Sequence, residues 1–366
     1  MKFIDEFRDP ALARRLVGQI RQMTASRAAP VRLMEFCGGH THAAYRFGLR
    51  ELLDGAVELI SGPGCPVRVT AAADLDRAIA LAEWPDVILA TFGDMVRVPG
   101  SRVQTLQAAR ARGADVRVVY SPLDALTLAR QHPARPVVML GVGFETTAPG
   151  IAAALVQAET ERITNFSALS LHKLTPPAMR AILGAGDVPL DGIIGPGHVS
   201  AVIGSDAWGF LPREYGIACA VAGFEPLDLL GAIAGLVRAT VEGVPVVDNL
   251  YMRGVRSEGN PTALALLNRV FEVGTAKWRG LGALPDSGLR LRAEWAHRNA
   301  ARLFPVTREP AREPPGCRCG DIVRGRSAPM DCPLFRRVCT PENPIGPCMV
   351  SNEGACAAVF QYAVDF

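Results

Sequence analysis

The chain has 366 residues, 49% of them apolar and 20% charged, with a net charge of +3. That length allows two or three domains, and so small a net charge leaves no electrostatic footprint for nucleic acid. No apolar run reaches the length a bilayer demands, and the opening MKFIDEFRDPALARR lacks a signal-peptide core, so the expectation is a soluble, cytoplasmic protein with no membrane partner. Structural disulfides are rare in that compartment, so nine cysteines point towards metal or redox chemistry.

An amphipathic helix is predicted from Pro10 to about Ala25. Short apolar strands then alternate with helical stretches such as Ala72–Glu83 and Arg102–Arg112. The strand candidates are Val31–Phe36, Val57–Ser61, Val87–Thr91, Val116–Tyr120, Val137–Leu140, Ser167–Leu171, Gly192–Ile194 and Ile217–Val221. This alternation predicts an α/β protein with parallel sheets covered by helices. The expected division is an α/β domain over 1–130, a second and similar one over 131–255, and a cysteine-rich C-terminal domain over 256–366. Within the last, a helix is predicted over Thr262–Val273. A loop-rich stretch through Trp278–Gly282 and Pro285–Gly288 follows, then a proline-rich connector, Arg308–Pro315.

In parallel sheets ligands collect at the carboxyl ends of the strands, and the unusual motifs fall there. Cys37-Gly-Gly-His-Thr-His42 follows the first candidate and Gly62-Pro-Gly-Cys-Pro66 the second. Gly141-Val-Gly-Phe-Glu-Thr-Thr147, Leu171-His-Lys173 and Gly195-Pro-Gly-His-Val-Ser200 follow later ones. Paired glycines allow a sharp turn and close approach, while cysteine and histidine suit soft or borderline metals. The similar turns after Ile60 and Ile194 hint at duplicated halves. Thr147 is a candidate helix cap, His172 and His198 are candidate turn or proton-handling groups, and Cys219 reads as a core residue. Arg68 stands where a Cys-x-x-Cys pair with Cys65 would place its second thiol. A cation there could favour the Cys65 thiolate, or it could be a solvated surface residue.

The tail carries Cys317, Cys319, Cys332, Cys339, Cys348 and Cys356. Thiolates suit iron–sulfur clusters or zinc, but these spacings lack the paired knuckles of zinc ribbons. Six thiols are two more than one four-thiolate site uses, which leaves room for a redox dithiol. Purely structural thiols remain a further reading.

Taken with Gly223-Phe-Glu-Pro226, Trp278-Arg-Gly-Leu-Gly282 and the run from Cys339 to Cys356, these motifs resemble the HypD family of hydrogenase maturation factors over essentially the whole chain. The resemblance implies two α/β domains plus a domain carrying a [4Fe–4S] cluster. It implies a metallocluster assembly scaffold with redox activity, on which an iron ion gains CN and CO as the Fe(CN)2CO unit of [NiFe]-hydrogenase. A HypC-like chaperone and a HypE-like cyanide donor, with HypF, are the implied partners. Cys37 is then the iron ligand with Cys65 a nearby thiol, and His40, His42, Glu145, Thr146 and Thr147 surround the iron and its cyanide. Cys317, Cys332, Cys339 and Cys356 are assigned to the cluster, and Cys319 with Cys348 to a redox dithiol. Arg68 departs from the family's Gly-Pro-Gly-Cys-Pro-Val-Cys. The alternative is therefore a HypD-like paralogue that binds partners and a cluster but is impaired in redox or iron assembly.

Overall fold

Strand β1 (Val31–Glu35) sends its side chains alternately into two cores. Val31 and Leu33 face one that includes Ala43, Ile233 and Leu236, while Met34 and, just beyond the strand, Phe36 face another shared with the cysteine-rich tail. Burial on both faces is what a central parallel strand requires, and its one buried charge, Glu35, is met by the Thr41 hydroxyl at 2.7 Å and the Arg50 guanidinium at 3.0 Å. The computed structural model describes residues 5–306 and 311–363, so part of the expected Arg308–Pro315 connector lies outside the described residues.

The remaining strands are β2 (Val57–Ser61), β3 (Ile88–Thr91), β4 (Asp115–Val118), β5 (Val137–Gly141), β6 (Phe166–Ser170), β7 (Gly192–Pro196), β8 (Ala218–Ala222), β9 (Val247–Asn249), β10 (Phe271–Trp278) and β11 (Gly282–Leu291). They form a five-stranded sheet ordered β2-β1-β7-β8-β9, a four-stranded sheet ordered β4-β3-β5-β6, and a β10-β11 hairpin. Every pair in the two larger sheets is parallel. The α/β class with parallel sheets is thus as expected, and all eight strand candidates overlap observed strands.

Two expectations need correction. The sheets do not divide the chain near residue 130: the first takes β1 and β2, leaves for β3–β6, and returns for β7–β9. The similar Gly-Pro-Gly turns after β2 and β7 therefore lie on one sheet, either side of β1, rather than in two facing halves. The expected loop-rich stretch through Trp278–Gly282 and Pro285–Gly288 instead lies in a long antiparallel hairpin, β10–β11, with an irregularity between Gly274 and Ala276. Its glycines and charged residues obscure the strand period, and Gly280 and Gly282, at φ 78° and 76°, make its tight turn. The helix before it ends at Val270, because Phe271 already opens the strand.

The opening helix runs Pro10–Thr24, its first turn capped by the Asp9 carboxylate, which accepts from Ala11 and Leu12 N–H at 2.7 and 3.1 Å. It packs with helix Pro226–Glu242 across the outer face of the first sheet. Beyond residue 311 the chain forms short helices and turns, ending in helix Ala355–Tyr362. No helix among the described residues is long and apolar enough to cross a membrane.

Candidate functional site

The carboxyl ends of β2, β1, β7 and β8 lie side by side, and each is followed by one of the glycine-containing motifs. Cys37 leaves β1 with extended backbone and starts helix Gly38–Arg46; Cys65 starts the short helix Pro66–Val69 in the same way. Gly38 N–H donates to Gly64 C=O at 3.0 Å, stitching the two turns together. The fit depends on glycine: a Cβ on Gly64 would lie 2.3 Å from Cys37 N. One on Gly38 would lie 2.6 Å from Glu353 Cβ and 3.2 Å from Cys65 Cβ. Cys37 and Cys65 are thereby juxtaposed beneath Glu353, a carboxylate from the tail.

Both thiols are buried. Burial pushes Cys37 up to about 12, and the Glu353 charge adds to this against the helix-start N–H groups of Gly39 and His40. Cys65 is pushed to about 11 by burial and Glu353, with Arg68 pulling the other way. The expected thiolate at Cys65 is therefore not the resting form, because desolvation outweighs the cation. A soft metal can still be held here, since its binding displaces the thiol protons.

Arg68 is no surface residue: its side chain is fully buried. Its guanidinium donates to Ser61 Oγ at 3.2 Å and to Gly62 C=O, while Nε has no partner. The thiols of Cys348, Cys65, Cys319 and Cys356 and the Glu353 carboxylate all feel its charge. Among the described residues it has no ion pair.

The histidines separate. His40 is buried, donates through Nε2 to Ala222 C=O at 3.1 Å, and stacks on Phe224 with centroids 4.8 Å apart. Burial holds it neutral, with a pKa down to about 4. His198 stacks on the same phenylalanine at 4.0 Å, so β1, β7 and β8 contribute one aromatic stack beside the thiols. His42 turns instead to the tail, its ring nitrogens 3.2 Å from Asn352 C=O and 3.4 Å from Tyr362 Oη. His172 belongs to the second sheet, against Ser170.

Glu145 also lies on the second sheet's carboxyl edge, after β5. Its carboxylate accepts from Thr175 N–H at 2.7 Å and Thr175 Oγ at 2.9 Å, at the head of helix Thr175–Ala185. Burial raises it to about 7. Thr146 is exposed. Thr147 occupies the capping position of helix Ala148–Thr160, but its hydroxyl bonds back towards the Val142 and Phe144 carbonyls instead of capping. These three residues make none of their hydrogen bonds to the Cys37–Cys65 pair.

In the tail, Cys319 and Cys348 approach to 2.7 Å between sulfurs. Burial, and after it the neighbouring Cys319, Cys332 and Cys339, push the Cys317 thiol up to about 12. Cys356 starts the last helix and contacts Cys348. All nine cysteines are free, and Cys219 is buried in β8 as expected. Among the described residues no three cysteine, histidine or carboxylate side chains stand at metal-binding geometry, but the donor set, thiols in apolar surroundings with Cys319, Cys332 and Cys339 near Cys317, is of the soft type that iron–sulfur clusters use. Sequence reasoning missed Glu353 and Phe224. Both lay inside motifs noted for other residues, and nothing local to them announces a contact with residues more than 180 positions away.

A family model described as "HypD: Hydrogenase formation hypA family" matches residues 11–363. The chain is similar to the hydrogenase maturation factor HypD of Azotobacter vinelandii, 51% identical over 371 residues, covering 99% of this chain and 97% of the relative. It is also similar to HypD of Cupriavidus necator, 47% identical over 369 residues with 99% and 97% covered. To HypD of Escherichia coli it is 43% identical over 367 residues, with 99% and 98% covered.

Proposed function

This chain belongs to the HypD family, and on that premise we propose that it acts in hydrogenase maturation as the scaffold on which an Fe(CN)2CO unit is built. The observation that carries the reading is the pair of buried thiols, Cys37 and Cys65, held together by the Gly38–Gly64 hydrogen bond at the carboxyl edge of the first sheet. Iron is the cargo. Cys37 would bind it together with a thiolate of a HypC-like chaperone, and Cys65 would stand beside it. Since both thiols rest protonated, loading iron releases protons, and the buried site then holds the metal–thiolate charge away from competing water. His40, fixed as a neutral donor to Ala222 C=O, keeps the stack with Phe224 rigid next to Cys37. A HypE-like protein with HypF would bring cyanide, in the cytoplasm.

Cys317, Cys332, Cys339 and Cys356 would hold a [4Fe–4S] cluster, making the segment beyond residue 311 the iron–sulfur unit. Such a cluster supplies one-electron chemistry when bound. Cys319 and Cys348 form the adjoining thiol pair, and Arg68 is the buried cation between that pair and Cys65, supported by its electrostatic neighbours. Glu145 serves chiefly to anchor helix Thr175–Ala185 in this reading.

The test is infrared spectroscopy of the protein co-produced anaerobically with its HypC-like partner. Cyanide and carbon monoxide bands on iron, lost in Cys37→Ala, are expected. Absence of those bands from a sample that retains iron–sulfur absorbance and partner binding overturns the scaffold reading.

A further inference from the structure

A second polar site lies on the other sheet, apart from the thiols. Beside the end of β6, between helix Ala72–Ala82 and the β10–β11 hairpin, is a cavity of about 240 Å3. Four cations line it, Arg77, Lys173, Lys277 and Arg290, against one carboxylate, Asp74. Lys173 is the unusual member. Its side chain is 2% exposed, and its ammonium lies 3.8 Å from Asp74, at the outer limit of an ion pair. The Trp278 ring lies 5.8 Å from it. Among the described residues neither Lys277 nor Arg290 has an ion-pair partner. Burying an ammonium is costly unless anionic oxygens surround it, and one distant carboxylate supplies little of that.

His172 adds a second requirement. Ser170 gives its hydroxyl proton to Leu289 C=O at 2.7 Å, so its oxygen accepts from His172 Nδ1–H at 2.9 Å. That fixes Nε2 as an acceptor, and it is buried without a partner. The lining residues thus offer a surplus of cations and, on His172, one buried acceptor without a partner, so an anion that also carries a hydrogen-bond donor suits them best.

We propose that this cavity binds a phosphate group, free or on a small organic molecule, with Lys173 as its buried anchor. A phosphate near neutrality carries one to two negative charges and, in its monoanion and hydrogen-phosphate forms, a P–OH that can donate. Lysine meets such a group as a point charge, and Lys277 and Arg290, on exposed hairpin positions, supply mobile donors at the mouth. The position, at the carboxyl end of a parallel strand, is where α/β sheets gather ligands. Binding would brace the hairpin, whose Trp278 pairs with Thr70 and whose Arg279 N–H donates to Val69 C=O at 2.9 Å. Those partners close the helix that begins at Cys65, so the site is mechanically joined to the thiol turn while standing independently of the iron reading.

The experiment is calorimetric titration of the full-length protein with inorganic phosphate, glycerol phosphate and sulfate at constant ionic strength. Saturable binding of a phosphate species is expected, with sulfate, which has no proton to give, at least about tenfold weaker. Lys173→Met should weaken binding about tenfold or more. Because that residue is buried, the exposed double variant Lys277→Ala/Arg290→Ala is measured beside it, with an expected loss of about three- to tenfold and an unchanged circular dichroism spectrum. Tighter binding of glycerol phosphate identifies an organic phosphate and tighter binding of phosphate the free ion; either upholds the site. No saturable binding by any phosphate species, or binding untouched by the double variant, overturns it.

Discussion

The two parallel sheets are built alike and used differently. On the first, the carboxyl ends of β2, β1, β7 and β8 converge on two stitched thiols and an aromatic stack, and the cysteine-rich tail closes over them through Glu353 and its own thiols. On the second, the loops after β5 and β6 carry residues just as conspicuous in sequence, but these turn inward: Glu145 to Thr175 and His172 to Ser170. The difference arises from what covers each edge. A tail that brings its own thiols would make a redox or metal site of the first edge, as proposed above. A hairpin carrying Lys277 and Arg290 lines a cation-rich cavity beside the second, the proposed phosphate site.

Substitutions that compare the two edges sharpen this contrast, and the largest effect is expected from glycine. Gly64→Ala sets a methyl against the Cys37 backbone nitrogen, a clash with backbone that no side-chain rotation relieves. A loss of about 3 kcal/mol or more in urea unfolding is expected. The counterpart on the second sheet, Gly143→Ala, has the Thr147 side chain as its nearest neighbour rather than backbone and should cost about 1–2 kcal/mol. Equal losses would mean that the first edge is no more tightly constrained than the second.

Glu145→Gln probes the second edge through pH. The carboxyl titrates at about 7 in the fold against 4.5 for the ordinary group, because burial disfavours its charge. The native state therefore holds this proton more tightly than the unfolded state. Its contribution is fully present below about pH 4.5 and is lost as pH rises through 7. The wild type should lose up to about 3 kcal/mol relative to Glu145→Gln across that interval. Parallel stability profiles for the two proteins would show that the carboxylate is already ionised throughout.

The division between legible and illegible follows the range of the interactions. Strands were legible because two-sided burial writes a local apolar run, and the motifs were legible because a turn against a ligand needs glycine in the chain itself. Cys37 and Cys65 could each be picked out that way. Their pairing could be expected only from the resemblance. The returning path of β7–β9 could not be read, since parallel strands of either sheet have the same local pattern. Nor could the burial of Arg68, whose neighbours come from the far end of the chain, or the β10–β11 hairpin, whose alternation is broken by the irregularity between Gly274 and Ala276.

Arg68 gives the next effect in size, and in the opposite direction. It is a buried guanidinium with no ion pair among the described residues, and its two acceptors keep other partners: Gly64 N–H also donates to Gly62 C=O, and Thr41 lies 3.1 Å from Ser61 Oγ. Replacing it with an apolar side chain leaves neither of them orphaned. Arg68→Met should stabilise the chain by about 1–2 kcal/mol in urea unfolding. Destabilisation instead would show that the thiols or Glu353 already compensate the charge as anions. Arg68→Cys then separates function from stability: if maturation improves, the cation stands where a thiol serves better.

Thr146 offers the smallest effect and the cleanest separation of the two edges. It sits between buried Glu145 and the half-buried Thr147, yet its own side chain is exposed and, among the described residues, makes no hydrogen bond. Sequence placed it beside iron-bound cyanide. If that is its place only when a partner docks on this edge, Thr146→Ala leaves stability within about 0.5 kcal/mol of wild type but shifts the cyanide bands of the loaded complex. If the iron lies wholly on the first edge, both stability and bands stay where they were. The geometry around Glu145 favours the second result, because the carboxylate that would steady this loop against a ligand is already spent on holding Thr175.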